Sequence, residues 1–128
     1  MNLTAHQLVD EARTRIREIA PQDFAADHRS AVLIDVREPA EFETGHLADA
    51  INLPRGVLEF QIETHPAVAP AGDQSLPDKA RPIVLYCRTG GRAALAAVSL
   101  QRMGFTDVSS ISGGVSGWSD AGLPLCTE

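Results

Sequence analysis

Residues 82–103 read PIVLYCRTGGRAALAAVSLQRM and combine a short apolar run, a loop with one cysteine and an alanine-rich stretch. The apolar run before Tyr86 is rich in β-branched residues, which favours a strand. The stretch after Arg92 has the composition of a helix. Cys87 therefore lies where a strand is predicted to turn into a helix.

The loop CRTGGR, residues 87–92, has the composition of an anion-binding site. Its two glycines allow backbone angles that a side chain would forbid, so successive N–H groups can point inward. The following helix adds the positive end of its dipole, and the two arginines add charge and planar sets of donors. A thiol in this field should ionise more readily than a free cysteine, which predicts that Cys87 is a nucleophile facing a small anion. The predicted substrate-binding residues are Arg88, Thr89, Gly90, Gly91 and Arg92.

A structural role for Cys87 is the alternative interpretation of the same loop. A lone cysteine is often a small core residue, and two glycines can simply form a turn. That interpretation leaves the presence of two arginines within five residues of the cysteine unexplained. We therefore favour the catalytic interpretation.

Four segments of the chain, in this order, resemble the signatures of the rhodanese-like sulfurtransferases. They are LIDVREPAEF (33–42), GHLADAINLP (45–54), CRTGGR (87–92), and GGVSGW (113–118) followed by GLP (122–124). Strands alternate with helices throughout the chain, which by itself predicts an α/β fold with a mostly parallel central sheet and helices on both faces. The resemblance implies the rhodanese-like form of that fold, a three-layer α/β/α domain with a five-stranded sheet.

The resemblance also implies a thiosulfate sulfurtransferase type of reaction. Cys87 would attack the outer sulfur of a donor such as thiosulfate, release sulfite and carry the sulfur as a persulfide. A second nucleophile, cyanide or a cellular thiol, would then take it, which predicts ping-pong kinetics. A protein could also be the sulfur acceptor. The reaction calls for no cofactor and no metal ion.

Two other functions remain open at this point. The chain could be a non-enzymatic sulfur carrier or sensor that uses the same loop. A cysteine phosphatase or arsenate reductase is the third candidate, but the phosphatase signature has five residues between its cysteine and its arginine. Here four residues separate Cys87 from Arg92, and the position of the phosphatase arginine holds Ala93. We therefore rank that chemistry below sulfur transfer.

Asp35 and Arg37 are candidate supporting residues of the site. Residues 32–36 form a nearly unbroken apolar run, typical of a strand buried on both faces of a parallel sheet. A carboxylate in that run must be paired or hydrogen-bonded, so Asp35 is predicted to be structural. Arg37 follows at the strand end where α/β sheets place ligands, and it could contact either the substrate or a nearby acid. His46, after a glycine turn, is predicted to be structural.

Composition restricts the partners of the 128-residue chain. The formal net charge of −6 argues against nucleic acid and anionic membranes as partners. The two cysteines, Cys87 and Cys126, form no C-x-x-C motif, so no zinc site or dithiol redox pair is indicated. The sequence has no signal-peptide pattern and no long apolar run, and a cytoplasmic location is expected. Cys126 is predicted to lie in a loose tail; it could resolve a persulfide on Cys87, a question the sequence leaves open.

The chain divides into two predicted parts. Residues 1–18 hold an amphipathic helix over residues 5–18, begun by a Thr4 capping box and packed on the domain, with a dimer contact as the alternative. Residues 19–126 are the rhodanese-like domain. Within it, residues 63–82 are a long loop rich in proline and alanine that could form one wall of the entrance to Cys87.

Overall fold

The computed structural model describes residues 2–27, 31–69 and 78–127, and a five-stranded sheet lies at its centre. The strand order is β1-β5-β4-β2-β3, and all four pairings are parallel. The strands are β1 Arg17–Ile19, β2 Val32–Asp35, β3 Ile51–Asn52, β4 Ile83–Tyr86 and β5 Val108–Ile111. The described helices are α1 Ala5–Arg13, α2 Pro21–Ala26, α3 Pro39–Glu43, α4 Leu58–Ile62, α5 Gly91–Arg102 and α6 Gly114–Asp120, with a 3-10 turn at Arg55–Val57.

Side chains of the central strand β4 alternate between two apolar clusters, one on each face of the sheet. Ile83 and Leu85 pack with the alanines of α5 and with α4. On the opposite face, Val84 and Tyr86 pack with Phe24 of α2 and with Trp118 of α6. These two clusters make three layers, so the predicted α/β/α fold with a parallel five-stranded sheet is confirmed.

Helix α1 is shorter than the predicted helix over residues 5–18. It begins with the predicted capping box, in which Thr4 and Gln7 bond each other's backbone N–H groups, but it ends at Arg13 with Thr14 as its C-cap. Residues 17–19 instead form the edge strand β1, paired in parallel with β5. The apolar spacing continues past Arg13, but the exposed edge of β5 offers these residues backbone partners that a longer helix could not use. The predicted boundary at residue 18 therefore falls inside β1.

The described flanks of the loop at residues 63–82 are anchored to the domain. Val68 is buried, and its carbonyl accepts a hydrogen bond from the Asp78 N–H at 2.9 Å. Lys79 Nζ donates to Glu63 Oε2 at 2.9 Å and to the Met103 carbonyl at 2.7 Å. Residues 70–77, the middle of this predicted entrance wall, lie outside the described residues.

Candidate active site

Cys87 lies directly after β4, at the edge of the sheet formed by the carboxyl ends of the parallel strands. Its Sγ accepts hydrogen bonds from the Gly90 N–H at 3.1 Å and the Ala93 N–H at 3.4 Å. Gly90 is the N-cap of α5 and has φ +115°, a conformation that a side chain would strain. The Ala93 N–H is one of the first-turn donors that a helix cannot satisfy internally. The loop therefore wraps around the sulfur, and the residue is 1% exposed at its base.

The other side of the loop is held by the start of α6. The Cys87 carbonyl accepts the Val115 N–H at 2.9 Å, and the Arg88 carbonyl accepts the Ser116 N–H at 3.0 Å. This close approach requires a glycine at position 114, because a Cβ there would lie 2.3 Å from the Cys87 carbonyl oxygen. The carbonyls of Cys87 and Arg88 thus point towards α6, while the N–H groups of Gly90 and Ala93 point at the sulfur.

Arg92 binds Glu41 of α3 through both of its terminal nitrogens. Its Nη1 lies 2.7 Å from Glu41 Oε1 and its Nη2 lies 3.0 Å from Oε2. These hydrogen bonds lower the pKa of Glu41 to about 2. The guanidinium predicted to bind substrate is therefore already neutralised by a carboxylate, and it ties α3 to the start of α5.

Arg88 is exposed and forms no ion pair with any residue that the structure describes. Its side chain lines a cleft of about 540 Å³ beside the loop. The other residues lining this cleft are Arg37, Glu41, Thr44, Val115, Ser116, Ser119 and Asp120. Thr89 is exposed next to Arg88, and these two are the most exposed residues of the loop.

Asp35 and Arg37 form a buried ion pair below the cleft. Asp35 is 0% and Arg37 4% exposed, and the Arg37 Nε and Nη2 donate to both carboxylate oxygens at 2.8–3.1 Å. Nη2 also donates to the Gly45 carbonyl at 2.6 Å. Burial acts to lower the pKa of Arg37, but the hydrogen bonds and charge of Asp35 outweigh it and raise that pKa. The pair links the end of β2 to the turn at Gly45, and a structural role for Asp35 stays a prediction.

Tyr86 completes the base of the site next to this pair. Its side chain is fully buried, and its hydroxyl oxygen accepts the Leu47 N–H at 3.1 Å. Burial is the main cause that raises the pKa of Tyr86, and the charge of Asp35 adds to it. The phenol therefore stays neutral and positions the chain after the Gly45 turn.

His46 and Cys126 pair with each other and not with the loop. The His46 ring stacks on Phe42 with centroids 3.7 Å apart, and its Nδ1 lies 2.9 Å from the Phe42 carbonyl. Cys126 exchanges two backbone hydrogen bonds of 2.8 Å with His46 in an isolated antiparallel bridge. The tail cysteine is therefore anchored, although the sequence there predicted a loose tail, and both cysteines are free thiols.

Two features are absent from the part of the chain that the structure describes. No group of three or more histidine, cysteine or acidic side chains is arranged to hold a metal ion. None of the helices in the same part is long and apolar enough to cross a bilayer.

The family follows from the comparison of this chain with known proteins. A profile of the Rhodanese-like domain matches residues 20–121, which is most of the chain and includes the loop at Cys87. The chain belongs to the rhodanese-like family. Among its relatives, the thiosulfate sulfurtransferase GlpE of Pseudomonas syringae is 32% identical over 107 residues, a match that covers 82% of this chain and 89% of that protein. Sulfurtransferase activity in general is therefore supported for this rhodanese-like chain.

Solved structures give the same rhodanese-like architecture. A Rhodopseudomonas palustris protein of unknown function, described as a possible tyrosine phosphatase, is 32% identical with a TM-score of 0.81, covering 98% of this chain and 96% of its own. The polysulfide-sulfur transferase homodimer of Wolinella succinogenes is 30% identical with a TM-score of 0.68, covering 93% and 84%. The first match includes the N-terminal helix, which lies outside the family profile.

Sequence reasoning did not identify two residues that shape this site, Glu41 and Gly114. Glu41 lies in one of the segments that resemble the family, but nothing in its spacing shows that it faces Arg92, 51 positions later. Gly114 looks like half of a glycine turn, and its closeness to Cys87 becomes visible only when α6 is placed against the loop. The available signal was the two adjacent glycines before a helix, which often mark a close backbone approach.

Proposed function

We propose that this protein moves a sulfane sulfur from a small anionic donor such as thiosulfate to cyanide or a cellular thiol, through a persulfide on Cys87. The observation that carries the proposal is the pair of N–H groups, from Gly90 and Ala93, that donate to Cys87 Sγ. Such preorganised donors stabilise negative charge on sulfur without needing a separate base. Membership of a family whose relatives include named sulfurtransferases supports the same reaction class.

The proposed reaction has two balanced half-reactions. The Cys87 thiolate attacks the outer sulfur of thiosulfate, a new S–S bond forms, and the bond to the sulfonate sulfur breaks with its electron pair leaving as sulfite. The enzyme then carries Cys87–S–S⁻. In the second half-reaction the acceptor attacks the outer sulfur, and the electron pair of the S–S bond returns to Cys87 as thiolate.

The loop residues have separate proposed roles. Arg88, exposed and without an ion partner among the described residues, attracts the anionic donor to the mouth of the loop. Gly90 and Gly91 let the N–H groups converge, and Thr89 lines the entrance. Arg92 acts through Glu41 by holding the loop in shape, and the buried pair of Asp35 and Arg37 supports the edge of the sheet below it.

The same geometry favours small donors over large ones. Because Cys87 is 1% exposed at the base of the loop, the incoming sulfur must reach it through a narrow opening. The polar cleft at Arg88 offers the acceptor a place beside that opening, whether it is a small thiol or an extended side chain of a protein acceptor. With a net charge of −6, nucleic acid and anionic membranes are not proposed as partners. We place the reaction in the cytoplasm, where thiols stay reduced.

A steady-state assay with thiosulfate and cyanide tests this proposal. Formation of thiocyanate should give parallel double-reciprocal lines as either substrate is varied, because the two half-reactions are separated by a covalent intermediate. Cys87→Ser should abolish turnover, and Cys126→Ser, the matched control, should leave it unchanged. Turnover by Cys87→Ser at the wild-type rate would contradict the proposal.

The two alternative functions, a sulfur carrier and a phosphatase, predict different results in assays of this protein. A sulfur carrier would accept one sulfur on Cys87 but show no turnover with cyanide or small thiols, and would pass the sulfur only to a protein. A phosphatase would hydrolyse an aryl phosphate in a reaction lost with Cys87→Ser. The shorter loop, with four residues between Cys87 and Arg92, and the engagement of Arg92 by Glu41 argue against the phosphatase.

A further inference from the structure

Helix α1 reaches the glycines of the Cys87 loop, although it precedes the residues 20–121 that the family profile matches. A Cβ placed on Gly91 would lie 3.6 Å from Val9 Cγ2, which shows that α1 packs against the start of α5. A Cβ placed on Gly90 would lie 3.2 Å from Arg13 Nη2. The last residue of α1 therefore brings a guanidinium group to the outer side of the loop.

The charge of Arg13 is only weakly compensated. Its Nε is 3.7 Å from Glu18 Oε2, which is longer than a hydrogen bond, and its side chain is 41% exposed. No other ion pair or hydrogen bond involves this guanidinium within the described ranges 2–27, 31–69 and 78–127. Arg92 differs in this respect, because both of its terminal nitrogens are bound by Glu41. Arg13 thus keeps free donors beside the loop.

The distance from Arg13 to the reacting sulfur has an upper limit. Nη2 is 3.2 Å from the Cβ position of Gly90, and the Gly90 nitrogen is 3.1 Å from Cys87 Sγ. Since a Cβ and the nitrogen of the same residue are about 2.5 Å apart, Nη2 lies within about 9 Å of Sγ. At this distance a charge acts on an anion in moderate salt, and it is screened at high salt.

We propose that Arg13 is a positioning residue for the anionic sulfur donor, supplying positive charge at the rim of the loop from an element outside the family match. This inference rests on the proposed function. Together with Arg88, which has no ion pair among the described residues, the weakly paired Arg13 places a second cation beside the loop, which suits a dianionic donor such as thiosulfate better than a neutral one. Because the chain has a net charge of −6, which repels anions, a local positive charge matters more for attracting an incoming anion.

Single-turnover loading of Cys87 by thiosulfate tests the inference. Arg13→Gln should slow loading by about three- to tenfold at low ionic strength, and the effect should shrink towards none in about 1 M salt. Arg13→Lys should keep most of the rate. Arg15→Gln is the matched control, because Arg15 is exposed along α5 beside Val98 and Arg102, and it should stay within about twofold of wild type.

A pair of alkylating reagents separates a charge effect from a loss of structure. Iodoacetate and iodoacetamide both react with a thiolate by displacing iodide, but only the first is an anion. Peptide mapping should show that Arg13→Gln lowers the ratio of the iodoacetate rate to the iodoacetamide rate at Cys87, while Arg15→Gln does not. Equal slowing by both reagents, or identical behaviour of Arg13→Gln and Arg15→Gln, would overturn the inference. The alkylation rates can be measured without any sulfur transfer. If only the proposed function fails, wild-type Cys87 will still be alkylated with the predicted charge dependence but will never accept sulfur.

Discussion

Gly114 lies where α6 approaches the Cys87 loop most tightly among the glycines of α6 and its N-cap. An alanine Cβ at this position would lie 2.3 Å from the Cys87 carbonyl oxygen and 2.8 Å from atoms of Arg88, and the backbone has φ +56°. We expect Gly114→Ala to lower the free energy of unfolding by roughly 3 kcal/mol or more, because backbone atoms on both sides must move. Urea denaturation measures the free energy of unfolding, and the rate of thiosulfate loading shows whether Cys87 in the altered loop still accepts sulfur.

Gly122→Ala provides the control for the backbone angle alone. Gly122 has φ +78°, but a Cβ there meets no atom within 4 Å. Its substitution should cost about 1 kcal/mol and leave sulfur loading intact. Equal effects of the two substitutions would mean that the contact between Gly114 and the loop is unimportant.

The role of Arg92 shows what a sequence can and cannot indicate at the scale of one residue. Its place in the CRTGGR loop predicts a substrate-binding arginine, and that role stays a prediction. Its partner, Glu41, comes from a different helix, and a local motif contains no information about which distant acid faces it. Gly90, by contrast, was predictable as a glycine needed for an unusual backbone angle, because its requirement is local.

An ion pair between Glu41 and Arg92, whose side chains are 31% and 38% exposed, links α3 to α5. Because Glu41 has a folded pKa of about 2 against an ordinary value of 4.5, its stabilisation is complete above about pH 4.5 and is lost as the pH falls towards 2. We expect Glu41→Gln to cost about 1 kcal/mol at neutral pH, since solvent screens a partly exposed pair.

Urea melts from pH 7 to pH 2 measure this dependence. The stability difference between wild type and Glu41→Gln should shrink as the pH falls from about 4.5 to 2. Glu43→Gln, on the same helix and without an ion pair to any described residue, should have a small effect at pH 7. A Glu41→Gln difference that stays constant down to pH 2 would show that the ion pair does not stabilise the fold.

Element ends were predicted less well than elements. The capping box at Thr4 identified the start of α1, because the residues that form it are adjacent in sequence. The end at Arg13 depends on β5, which pairs with residues 17–19 across 92 positions of sequence (Arg17 with Ser109) and holds them in the sheet. Cys126 was expected in a loose tail for a similar reason, since its bridge to His46 spans 80 positions.

At the scale of the whole molecule, the alternation of apolar strands and helices was sufficient to predict the α/β/α layers. Strands such as β2 and β4, buried at every position, have the nearly unbroken apolar pattern that is typical of a parallel sheet covered on both faces, with Asp35 as the exception in β2. Because all the strand pairings are parallel, the loop that follows β4 lies at the edge of the sheet formed by the carboxyl ends of the strands. The site is therefore located by the fold as a whole, while its detailed contacts depend on residues from four separate segments.

Mass spectrometry of the intact protein and of its peptides, before and after addition of thiosulfate, shows whether Cys87 takes up sulfur. Wild type and Cys126→Ser should each gain the mass of one sulfur atom, on the peptide that contains Cys87, and lose it again with dithiothreitol. Cys87→Ser should gain none. Wild-type protein that never acquires the sulfur, or that carries it on Cys126, would mean that Cys87 is not the sulfur carrier.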